Sequence, residues 1–130
     1  MEVKFEIIEG GSEIKPEVTR IEYDLHNLVV RVEPAFDSDP IVVNFDAPIG
    51  FRVLDEGNLL EFWDYLSLKN GWLFQISSGG WYELESNRHG FISQHHPGVQ
   101  EYLIIGVNEC VSVLSTKSPS VVASNPSRQK

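Results

Sequence analysis

Apolar and polar positions alternate from the start of the chain. Over residues 3–9, Val3, Phe5 and Ile7 fall on one face and Lys4 and Glu6 on the other. That period of two predicts a half-buried strand. Gly10-Gly11-Ser12 breaks it. Residues 18–25 predict a second strand, with Val18, Arg20 and Glu22 opposed to Thr19, Ile21 and Tyr23. Asp24-Leu25-His26-Asn27 reads as a turn, and residues 28–32 form a β-branched run. The segment PAFDSDP (34–40) is a polar turn bearing Asp37 and Asp39, and residues 41–45 favour a pleated surface again. Pro48 and Gly50 punctuate the exit, after which residues 51–54 continue as a short strand or a kinked extension of the previous one.

The period then changes. Leu59, Leu60, Phe62, Trp63 and Leu66 recur at i, i+1, i+3, i+4 and i+7, which is one face of a helix over residues 55–66. Asp55 is placed to cap its N-terminus, and Glu56 lies near the positive end of the helix dipole. Asn70-Gly71 closes the following loop. WLFQIS (72–77) predicts a strand with Trp72 and Phe74 on one side, and Ser78-Gly79-Gly80 a tight turn. Residues 81–84 fit either a returning strand or a short helix. Residues 87–98 read as a loop. Two apolar runs, 102–107 and 110–114, flank Asn108-Glu109 and predict a terminal hairpin, though that dipeptide lacks a glycine. The Ser/Pro/Lys-rich residues 116–130 read as a disordered tail.

The expected architecture is α+β: a mainly antiparallel β-sheet of six to nine strands with one short helix near 55–66. The expected domain spans residues 1–115. A chain of 130 residues fits one domain and buries a core without staples.

Charge narrows the class of partner. The net charge is −9, and its distribution is uneven. Residues 1–65 carry fifteen acids and five bases, whereas residues 66–130 carry four acids and five bases. Nucleic acid and anionic membrane surfaces fit such a field poorly, and a basic protein partner fits it better. One cysteine, Cys110, excludes an intramolecular disulfide and a multi-cysteine metal site. Residues 1–10 lack the apolar core of a signal peptide, and no stretch reaches the ~20 apolar residues of a membrane span. A cytoplasmic location is the expectation.

The segments FRVLDEGNLLEFW, NGWLFQISSGGW and EYLIIGVNECVSVLS carry a resemblance. Across residues 18–115 the chain resembles small Gram-negative bacterial proteins of the immunity type, from polymorphic-toxin and contact-inhibition systems. The resemblance implies binding and blocking a toxin, with no chemistry required of the chain.

Motifs for catalysis are weak. His89, His95 and His96 lie close in sequence, but Gly90 and Pro97 place them in a loop, and no metal or cofactor is expected. Cys110 sits in an apolar run, as a buried cysteine does. SSGG matches neither a nucleophile elbow nor a phosphate loop. Asp37, Asp39 and Asp46 do not have calcium-loop spacing. Tryptophan and tyrosine beside acids are typical of protein-binding hot spots. The expected partner-binding residues are therefore Trp81, Tyr82, Asp64, Glu61, Asp37 and Asp39. The competing expectations are a homodimer joined through strand 41–45 or 110–114, and, further off, a small-ligand carrier or enzyme whose pocket the aromatics line.

Overall fold

The computed structural model describes residues 3–9, 16–33, 39–55, 71–90 and 98–123. Nine strands occur among them: β1 (Lys4–Glu9), β2 (Glu17–Tyr23), β3 (Asn27–Glu33), β4 (Ile41–Asp46), β5 (Gly50–Asp55), β6 (Leu73–Ser78), β7 (Gln100–Ile105), β8 (Glu109–Ser115) and β9 (Ser120–Ala123). One short helix, α1 (Trp81–Ser86), lies between β6 and β7. The strands form two antiparallel sheets, one ordered β1-β6-β7-β8-β5 and the other β2-β3-β4-β9. The expected α+β architecture, mainly antiparallel β, is therefore present. Of the helix expected at 55–66, Asp55 ends β5 and the rest lies outside the described residues.

The two sheets pack face to face. Leu28, Val30 and Val32 of β3 and Val43 and Phe45 of β4 meet Leu73, Tyr102, Ile104, Val111 and Val113 of the larger sheet. Phe45 and Tyr102 bridge the layers, with ring centroids 5.7 Å apart. The second face of the five-stranded sheet is also buried. Phe74, Ile76, Leu103, Ile105 and Cys110 form a cluster there with Val3, and Leu114 and Val99 form another with Trp81 and Tyr82. This explains a contrast in sequence. Strand β3 is buried on one face and alternates, whereas β7 and β8 are covered on both and read as continuous apolar runs.

Several expectations are corrected. A register shift between Val18 and Arg20 interrupts the alternation of β2, so Val18 and Ile21, three apart, both pack on the core. Trp72 lies just before β6 and joins the inter-sheet core, while Phe74 points to the other face. The β7–β8 turn does contain a glycine: Gly106 donates its N–H to Glu109 O at 2.9 Å, and a Cβ there would meet that oxygen at 2.7 Å. Of the two alternatives open for residues 81–84, the short helix is the one present, over Trp81–Ser86. Chain order continues past Ser115, because β9 pairs with β4 and Val121 packs against the core. Tyr102 Oη–Ser118 Oγ at 3.4 Å and Lys117 Nζ–Asp46 Oδ2 at 2.8 Å hold the connection. The two strands expected to pair across a dimer, 41–45 and 110–114, are interior: β4 sits between β3 and β9, and β8 between β7 and β5.

Candidate functional site

Helix α1 is too short to be stable by propensity. It is held from outside. Glu101 of β7 projects onto the outer face of the five-stranded sheet and is 2% exposed. Its Oε2 accepts the N–H of Trp81 at 3.0 Å, and its Oε1 accepts the N–H of Tyr82 at 2.8 Å. These are first-turn donors that no helical carbonyl reaches. The side chain that caps them comes from twenty residues away in sequence. Glu83 reaches back to the N–H of Gly79, in the manner of a capping box shifted by one residue.

Both glycines before the helix have a structural reason. Gly79 has φ 81, a left-handed conformation that favours glycine. Gly80 is extended, but a Cβ on it would lie 2.6 and 2.7 Å from the two Glu101 carboxylate oxygens.

Trp81 and Tyr82 are half-buried and pack on Leu114 and Val99. The Trp81 ring runs beside Gly50 of β5, whose Cβ would lie 3.8 Å from it. The Arg52 guanidinium lies 5.2 Å from the ring centroid, a cation–π contact. Trp81 Nε1 donates to Glu85 Oε1 at 3.3 Å, and Glu85 Oε2 accepts from Arg88 Nε at 2.9 Å. Ser86 Oγ donates to Tyr82 O at 2.8 Å. The result is a helix fixed in orientation by charge-assisted bonds at one end and aromatic packing beneath. Leu84 stands on its open side at 62% exposure, next to Glu83 and Glu85.

A cleft of about 210 Å³ lies between β6 and α1, lined by Ser77, Ser78, Gly80, Tyr82, Glu83 and Glu101 among others. Two of its acids already accept backbone N–H groups, so its polar atoms serve the helix they border.

The six residues expected to form one patch are not all brought together. Trp81 and Tyr82 are adjacent on α1. Asp39 is half-buried and leads into β4, in the opposite layer of the sandwich. Asp37, Glu61 and Asp64 lie outside the described residues, as do His95 and His96. His89 is exposed, and Cys110 is buried. Among the described residues no group of three or more His, Cys, Asp or Glu is placed to hold a metal ion, and no helix is long and apolar enough to cross a membrane.

Glu101, Gly80, Arg52 and Leu84 are the residues that sequence reasoning missed. A signal for Glu101 existed. It alternates with Leu103 and Ile105 on one face of β7, so an acid occupies a core position. Arg52 does the same between Gly50 and Leu54 of β5. No protein-family model, curated protein or solved structure matches the chain.

Proposed function

We propose that the chain is a non-catalytic protein-binding domain, an immunity-type protein that captures and blocks a basic toxin through the surface of α1. The observation that carries this reading is Leu84. It is a large apolar side chain, 62% exposed, on a helix whose position is fixed by the buried Glu101. Glu83 and Glu85 flank it, and Trp81 and Tyr82 support it from the sheet side. A rigid, exposed apolar contact binds a partner surface with little ordering cost. The charge of −9 adds long-range steering, so association slows as salt rises.

The test is co-expression with the product of the neighbouring gene, scored by growth rescue and co-purification. Rescue with a salt-sensitive complex, and loss of both in Leu84→Arg, is the expected result. Absence of rescue and of any complex sinks the reading. Rescue that Leu84→Arg leaves intact moves the binding surface away from α1.

A further inference from the structure

The outer face of the four-stranded sheet runs against the charge of the chain. Leu28, Val30 and Val32 of β3 point to the core, so Val29 and Arg31 face outward. Arg31 stands in register with Arg20 of β2 on one side and Val42 of β4 on the other, and Val42 with Val122 of β9. Two arginines are thus directly opposite each other in a chain of net charge −9. Like charges so placed destabilise a strand pair, and folding gains nothing from them.

A bulge brings the pair about. Val18 packs on the core, and uninterrupted alternation would send Arg20 the same way. The register shift between Val18 and Arg20 turns Arg20 outward instead, onto the face that holds Arg31. Bulges that re-aim a side chain are common beside functional sites.

The two arginines differ in their partners. Arg20 Nε forms an ion pair with Glu22 Oε1. The Arg31 side chain is exposed and has no hydrogen bond or ion pair among the described residues. Arg20, Glu22, Val29, Arg31 and Val42 line a groove of about 270 Å³. Val29 and Val42 are half-buried in it, and Val122, next along the row, is 56% exposed.

We infer that this groove docks an acidic, extended segment of a protein partner, with one carboxylate between Arg31 and Arg20 and an apolar neighbour on Val29, Val42 and Val122. Charge selects the carboxylate, which a guanidinium holds through two parallel N–H···O bonds. The valines select a segment over a free anion, since an inorganic ion leaves them uncovered. Size agrees: about 270 Å³ takes one or two side chains and falls below the ~300–1,000 Å³ of small-molecule pockets. A basic partner of the kind proposed for α1 meets two guanidinium groups here, so the two surfaces take different partners.

The test is titration of the nitrogen-labelled full chain with the synthetic peptide acetyl-Val-Glu-Val-Glu-Val-amide, followed by NMR. The Arg20 and Arg31 Nε–H signals and the Val29 and Val42 amides are expected to move together, with Kd below about 1 mM. Arg31→Gln, which loses the charge, is expected to weaken binding about tenfold while keeping or raising the urea midpoint. No movement up to about 5 mM peptide overturns the inference. Equal shifts with the glutamine counterpart of the peptide, which carries no charge, overturn it, as do equal shifts with inorganic phosphate, which needs no apolar floor. A fall in stability in Arg31→Gln overturns it too, because the arginine pair then serves the fold. No α1 residue is altered, so this outcome and that of the toxin-binding test are independent.

Discussion

Gly80→Ala tests how α1 is held. The backbone itself accepts alanine, since Gly80 has φ −110. The obstacle is the Glu101 carboxylate, whose Cδ and oxygens would lie 2.6 to 2.9 Å from the new Cβ. Glu101 is buried and fixed by the two N–H groups it accepts, so it is not a loose side-chain end. It must shift, and both bonds lengthen. Hydrogen bonds to a charged group contribute about 1.5–3 kcal/mol each, so weakening two costs about 2–3 kcal/mol. Alanine offsets about 0.4–1 kcal/mol of this through lower entropy of the unfolded chain. The net expectation is a loss of about 2 kcal/mol, read as a fall of about 1 M in the urea midpoint. Tryptophan fluorescence reports the transition, because Trp72 and Trp81 both sit in packed settings.

The cause is isolated by a double-mutant cycle with Glu101→Ala. With the carboxylate gone, Gly80→Ala has nothing to strike, and should be neutral or stabilising by up to about 1 kcal/mol. The coupling between the two sites is then about 2–3 kcal/mol. A Gly80→Ala protein as stable as the parent refutes the reasoning. So does an equal loss in the Glu101→Ala background, which would put the cost in the backbone rather than in the carboxylate.

Three further outcomes are expected. Phe45→Ala removes a fully buried ring that touches Tyr102 across the layers, and should lower stability by about 3–5 kcal/mol in urea unfolding. Ending the chain after Ser115 deletes β9, uncovers β4 and removes Val121 from the core; burial of one such side chain contributes about 1.5–3 kcal/mol, so a loss of at least that size is expected in thermal or urea melts. Backbone N–H groups of Asn27 and His26 hold the Asp24 carboxyl below its ordinary 3.8, so its contribution is complete above that value and disappears as pH falls through the lower, folded-state one. Asp24→Ala should therefore be less stable than the parent at neutral pH, with the gap closing in acid; a gap independent of pH would refute that assignment.

Local pattern carried most of the strands and little of the site. Strand β3 alternates because only one of its faces is covered, and its inward side chains Leu28, Val30 and Val32 are legible at a period of two. The end of the chain was not legible in this way. Within a serine-rich stretch, β9 offers only Val121 and Val122, and it exists because β4 presents an edge and the core a place for Val121. The bulge in β2 is hidden for a related reason: alternation assumes one register, and a shift between Val18 and Arg20 reverses the faces midway.

Helix α1 shows the limit most sharply. Six residues give less than two turns, too few for a 3.6-residue period to appear against a strand's period of two. What decides for helix here is a carboxylate on another strand, aligned with the two N–H groups only once β6, β7 and the Ser78-Gly79-Gly80 turn are in place. The informative residue in the sequence is thus not in the helix. It is Glu101, an acid at a core position in QEYLII, where desolvation is tolerable only if hydrogen-bond donors are waiting. A buried acid of this parity implies a donor pair from elsewhere in the chain; Gly80 supplies the room, and the N–H groups of Trp81 and Tyr82 are the donors. The apolar contact at Leu84 inherits its rigidity from that arrangement. Glu101→Gln, which keeps the shape and loses the charge, should therefore weaken the proposed capture at α1 as well as stability, whereas Leu84→Arg, on the exposed side of the helix, should alter capture alone.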